Sequence, residues 1–172
     1  MIKKILLCVV AMIGTAHATE EVSIDNLVTE PIEVSSQMTS MERKVRANAV
    51  KELSYDGHGS GGIVKYKDIQ LVITAQHVAD GILGTTYLLR TENEQRNGVL
   101  IYTDPLNDMA VIYVPVKFKN SKGIKWKPIT ELTAVGAEIT YSGYPSWHSL
   151  MTYRGRVAGY EVHPDAGTQI ML

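Results

Sequence analysis

The sequence predicts an all-β chain: one small antiparallel barrel or sandwich, followed by about half of a second. Three observations carry this. Residues 45–118 break into about six short segments of β character, separated by turn residues at short spacing. A second β region begins near Ile124 and holds strands for only part of a barrel. The chain has a single cysteine, Cys8, near its start. Nothing later can form a disulfide, so stability must come from packing.

The first 18 residues read as a secretory signal. Lys3 and Lys4 supply the positive start, and Ile5 to Gly14 an apolar stretch short for a transmembrane span. Ala16-His17-Ala18 offers a small-x-small cleavage site. Cys8 precedes most of the apolar run, where a lipoprotein anchor has no place. The expectation is a secreted or periplasmic product with no stable membrane anchor after signal cleavage. Residues 19–44 follow as a leader or linker, acidic at first and then rich in Ser and Thr.

The first β region, 45–118, offers Val45 to Leu53, Gly61 to Tyr66, Ile69 to Ala75, Thr85 to Arg90, Val99 to Thr103 and Met109 to Pro115 as strands. Asn120-Ser121-Lys122-Gly123 reads as a connector. The partial second barrel, 119–172, offers Glu138 to Gly143, Thr152 to Tyr160 and the start of another strand at Thr168. Gly155 and Gly159 permit sharp bending there. A half-closed barrel leaves unpaired backbone groups and exposed apolar surface, so the expectation is a missing C-terminal half.

Two segments carry chemistry. In Leu71-Val72-Ile73-Thr74-Ala75-Gln76-His77-Val78-Ala79-Asp80 an apolar strand delivers a histidine just past its end. In Asn107-Asp108-Met109-Ala110-Val111-Ile112 an acid stands at the mouth of another apolar strand. These resemble the histidine and aspartate segments of trypsin-like serine proteases. Gly59-Ser60-Gly61-Gly62-Ile63-Val64 resembles the glycine-rich strand start of the family's disulfide-free, bacterial-type branch. Ile139-Thr140-Tyr141-Ser142-Gly143-Tyr144-Pro145, with Thr152-Tyr153-Arg154-Gly155-Arg156-Val157, resembles its Gly-x-Pro turn and following strand. The ordered set runs from about Val45 to Leu172. It implies a trypsin-like double β-barrel with the second barrel incomplete.

The resemblance implies a Ser/His/Asp triad acting on a protein or peptide substrate. A free serine hydroxyl is a weak nucleophile and needs a base to take its proton. Histidine titrates near neutrality and suits that task. His77 would be the base, then the acid that protonates the leaving amine. Asp108 would accept the other imidazole N–H and hold the productive tautomer. Asp104 competes for that role, but its Asp-Pro pairing reads as a turn. No nucleophile is found. Nothing after Asp108 fits the family's Gly-x-Ser-Gly-Gly loop, and Ser142, Ser146 and Ser149 lack its glycines. Ser60 has glycine neighbours but precedes His77, against the family's His, Asp, Ser order. The chain alone is therefore expected to be inactive. A protease-like binding module, or a half completed by a partner, are the alternatives.

Other classes fit poorly. Lys+Arg number 17 against 18 acids, for a net charge of −1, and no basic patch marks a nucleic-acid partner. His58, His77, His148 and His163 are scattered, with no His-Glu-x-x-His and no cysteine pair, so neither metal nor cofactor is expected. The aromatics Tyr141, Tyr144, Trp147, Tyr153 and Tyr160 read as packing.

Overall fold

The computed structural model describes residues 37–54, 57–126, 131–146, 148–163 and 167–171. The segments read above as signal and most of the leader lie outside them. Residues Gln37–Leu172 form one compact unit. It opens with a short helix, α1 (Ser40–Arg46), where a leader and the start of a strand were expected. The cause is a capping box. Thr39 Oγ1 accepts from the Glu42 backbone N–H at 3.2 Å, and the Glu42 carboxylate accepts from the Thr39 N–H at 2.6 Å. Arg43, Lys44 and Arg46 in the last turn complement the negative helix end.

Six strands then close a barrel: β1 (Ala49–Leu53), β2 (His58–Tyr66), β3 (Ile69–Thr74), β4 (Thr86–Arg90), β5 (Gln95–Asp104) and β6 (Met109–Val114). Their order around the sheet is β1-β4-β5-β6-β3-β2, and β1 pairs with β2 to complete the circle. Closure leaves these six without a free edge along most of their length. The register between β5 and β6 shifts between Leu100 and Tyr102, a bulge that bends the wall.

Side chains alternate across the wall as the pleat requires. On β6, Ala110, Ile112 and Val114 are buried and their neighbours are not. With Val50, Ile63, Val72, Leu89 and Leu100 they fill the barrel, and Phe118 closes the cluster from the connector. Each buried Val, Leu or Ile contributes about 1.5–3 kcal/mol relative to exposure. Gly98 is small for a packing reason: a β-carbon there would stand 2.5 Å from both Ile112 and Leu89 side chains.

The connector after β6 is pinned. Buried Gln70 accepts from the Phe118 N–H at 2.8 Å and donates to the Ser121 carbonyl at 2.7 Å. Asn48 accepts from the Gly123 N–H at 2.7 Å. Gly123 has φ +77°, and a β-carbon would meet the Lys65 backbone at 2.8 Å, so only glycine fits. This delivers β7 (Ile124–Lys125) parallel to the far end of β2, beyond its pairing with β1.

The remaining strands form two hairpins. β8 (Glu138–Gly143) pairs with β9 (Met151–Arg156), and β10 (Gly159–His163) with β11 (Gly167–Met171). The single strand expected over Thr152 to Tyr160 is two, because the extended pairing breaks at Val157 and Ala158. There Val157 exchanges backbone bonds with the segment before β8, and the Ala158 N–H turns to Met171. Tyr141 and Tyr153, directly opposed, stack with centroids 5.3 Å apart. The β8–β9 hairpin docks on the barrel wall through Ala49, Tyr144 and Leu150.

Candidate active site

β3 and β6 are neighbours, with Thr74 opposite Ala110. His77 lies just past the end of β3, and Asp108 just before the start of β6. Antiparallel pairing therefore brings both to the same end of the barrel. The chain leaving β3 makes a helical turn in which the Val78 and Ala79 N–H groups both donate to the Ala75 carbonyl at 3.2 Å. Ala79, fully buried, anchors that turn while the His77 side chain stays 71% exposed. Gly59 lets the turn sit close: a β-carbon there would fall 2.2 Å from Val78 Cγ1.

Asp108 adopts φ +49°, a left-handed conformation that Asp tolerates better than most residues. Asp104 shapes the turn before it. Its carboxylate accepts from the Asn107 backbone N–H at 3.1 Å and side-chain amide at 2.6 Å. The two acids that competed on sequence thus have different neighbours. Asp104 serves its own turn, and Asp108 faces the histidine.

Asp108 Oδ2 stands 2.7 Å from His77 Nδ1, and Oδ1 accepts from the His77 backbone N–H at 3.0 Å. A carboxylate only accepts, so this contact puts the proton of a neutral imidazole on Nδ1 and leaves Nε2 as the free base. The His77 backbone N–H first, and then its ring, hold the Asp108 carboxyl below the usual carboxylate range. The two-point grip fixes both position and tautomer. A base poised in this way can accept a proton at Nε2 and return it.

A cavity of about 660 Å³ opens beside His77, with Leu53, His58, Val78, Asp80 and Leu88 among its walls. Among the described residues no hydroxyl bonds to the His77 ring. Ser54 Oγ donates to the Gly57 carbonyl at 3.3 Å. Ser142 Oγ meets Thr152 Oγ1 at 3.0 Å. Ser60 Oγ accepts from the Tyr144 backbone N–H at 2.8 Å, a bond that fastens the end of β8 to the barrel. The glycines around Ser60 admit other chain segments: Val78 against Gly59, and Val72 against Gly61. No group of three metal-binding side chains comes together among the described residues. Of the four scattered histidines, His163 has a side chain outside what is described.

Sequence reasoning passed over Glu52. It is fully buried inside the barrel, and among the described residues no hydrogen bond of good geometry reaches either carboxylate oxygen. Burial, with a smaller push from the Asp80 charge, raises its carboxyl to about 7. The alternation Val50 in, Lys51 out, Glu52 in was the signal that could have found it.

Comparison with protein families and with curated proteins finds no match. Solved structures do match. A serine-to-alanine mutant of Rv3671c from M. tuberculosis H37Rv, in an inactive form, superposes with TM-score 0.55 at 18% identity, covering 81% of this chain and 70% of that one. The Rv3671c protease, inactive form, gives TM-score 0.55 at 18% identity over 81% and 73%. Deg5 gives 0.56 at 16% over 80% and 78%. With a closed six-stranded barrel followed by two β-hairpins, this chain carries the fold of the trypsin-like serine proteases.

Proposed function

We propose that this chain is an exported trypsin-like serine endopeptidase in which His77 is the general base and acid and Asp108 its orienter, and that it does not cleave peptides by itself. The 2.7 Å contact between His77 Nδ1 and Asp108 Oδ2 carries the proposal. In the reaction, Nε2 takes the proton of a serine hydroxyl as that oxygen attacks the scissile carbonyl carbon. The imidazolium formed is stabilised by Asp108, and its proton passes to the leaving amine. A water repeats the sequence on the acyl-enzyme. The serine and the oxyanion donors would come from a Gly-x-Ser-Gly-Gly loop that these residues do not contain. Residues 1–18 would direct export and be removed.

The test uses the expressed chain and the DNA beyond the Leu172 codon. The chain alone should neither digest casein nor react with a fluorophosphonate probe. Joined to, or mixed with, a following segment that bears the serine loop, it should do both, and His77→Ala should abolish most of the turnover. Undiminished turnover in that variant would overturn the assignment.

A second reading is a binding module. It is favoured by the pairing of β8–β9 and β10–β11 only within each hairpin, with Tyr141, Tyr153, Val162 and Ile170 exposed. Such edges can accept a peptide as an added strand. Peptide binding without turnover, even after the serine segment is supplied, would select it.

A further inference from the structure

Lys51 on β1 and Arg90 on β4 are directly opposed partners. Glu52 and Leu89, the next residues of each strand, point into the barrel and are fully buried. Lys51 and Arg90 therefore share the outer face. Like charges directly opposite one another destabilise a sheet, and neighbouring strands usually avoid them. Among the described residues, neither cation pairs with an acid. Lys51 Nζ lies over the Tyr144 ring at 5.9 Å, and Arg90 donates to the neutral Gln95 amide oxygen at 3.1 Å.

Both residues line one notch of about 380 Å³, formed where the β8–β9 hairpin docks on the barrel. Tyr144 and Leu150, both buried, form its apolar side. Arg46 is also there, but it pairs with Glu92. It is held in place by donating to the Leu150 carbonyl at 2.9 Å. Three cations thus face one carboxylate across a preformed hollow. Burial and the Glu92 charge push the Tyr144 phenol up, while the Arg46 and Arg90 charges pull it down.

We propose that this notch is an oxyanion-binding site, in which Lys51 and Arg90 together hold a carboxylate or phosphate group. An oxyanion between the two strands turns their mutual repulsion into two charge-assisted hydrogen bonds. The Arg90 fork can give two parallel N–H donors to such a group, and Lys51 adds a third. The hollow is open enough for the group to arrive on a peptide side chain as well as free.

The test titrates the full chain with inorganic phosphate, and separately with a short glutamate-containing peptide. Chloride holds ionic strength constant, and NMR follows the backbone N–H signals of residues 51, 90 and 144, which every variant retains. Saturable shifts are expected from at least one of the two, and which one identifies the source. Arg90→Gln and Lys51→Gln should each weaken binding about tenfold or more. Arg90 is exposed, so its variant remains informative if Lys51→Gln misfolds. Absence of saturable shifts with both ligands, or binding undiminished in Arg90→Gln, would overturn the site. Tyr144→Phe keeps the ring and should bind as the parent does; a loss as large as that of Arg90→Gln would place the anion on the phenol and refute the two-cation site.

Discussion

Glu52 sets a pH dependence of stability that can be worked through. Its side chain is fully buried, among the barrel's inward-facing residues. The charged and polar groups that face it are few. Asp80, from the turn after His77, opposes its ionisation, as burial does more strongly. The Thr74 hydroxyl acts the other way, but its proton is directed to the Ser60 carbonyl at 3.0 Å. Tyr87, whose hydroxyl accepts from the Gly81 N–H at 2.8 Å, feels the same two carboxylates. The folded carboxyl is raised from 4.5 to about 7. Between those values the folded state keeps a proton that the unfolded state releases, so stability falls as pH rises through the window. The loss begins near pH 4.5 and is complete above about pH 7. At 1.36 kcal/mol per pH unit it amounts to about 3 kcal/mol. Glu52→Gln keeps the shape and removes the charge. It should be near neutral at pH 5 and should stabilise the chain by about 3 kcal/mol at pH 8. Urea denaturation of both forms from pH 4.5 to 8.5 measures this. Parallel pH profiles for parent and Glu52→Gln would refute the reasoning, because Glu52 would then carry none of the slope.

Three further outcomes follow from single contacts. Asp108→Asn should release the His77 ring from its tautomer. Ring nitrogen chemical shifts should show Nδ1–H predominating in the parent near pH 8 and not in the variant; an unchanged tautomer would mean that the carboxylate does not set it. Gly59→Ala should drive a methyl group into Val78 and cost about 1–3 kcal/mol in urea denaturation. Val78→Ala, placed in the same chain, should recover part of that, and a purely additive double variant would show that the two do not meet. Ser60→Ala should leave the Tyr144 backbone N–H without its acceptor and cost about 1–3 kcal/mol. In a serine-completed enzyme the same change should leave turnover largely intact, and loss of acylation there would make Ser60 the nucleophile after all.

Local pattern was enough where one face of a strand is buried. β3 and β6 alternate between core and wall, and their expected ends fall within one residue of the observed ones. The histidine and aspartate segments were legible for the same reason, since each is a polar residue at the end of such a strand. Elements set by long-range contacts were not. β7 is two residues long and is defined by a parallel partner some 60 positions earlier in the chain. The first three residues of β5, Gln95 to Asn97, are polar and resemble a loop: Gln95 and Asn97 are exposed, and Arg96, opposite Leu89, lies over the Phe118 ring. Helix α1 was legible in principle, through Thr39 and Glu42, but it straddles the end of a stretch whose composition suggests a linker and the start of an expected strand. Glu52 was obscured by the usual expectation that glutamate faces water.

The site's geometry follows from the barrel's connectivity more than from either side chain. His77 and Asp108 are 31 positions apart, yet the antiparallel pairing of β3 with β6 leaves them only a turn each from a shared strand end. Every strand needed for that lies within the closed six-stranded barrel. Among the described residues, the hydrogen bonds between His77 and Asp108 involve neither the β8–β9 nor the β10–β11 hairpin. His77 and Asp108 are thus brought together by a part of the chain that buries its own core, and in the proposed reaction a nucleophile would have to approach Nε2. This division explains how the pair can be built with good geometry while no described hydroxyl meets it. The cavity beside His77 is walled by β1, β2, β4 and the turn after β3, all from the same barrel. A group entering that cavity would therefore meet side chains of this barrel.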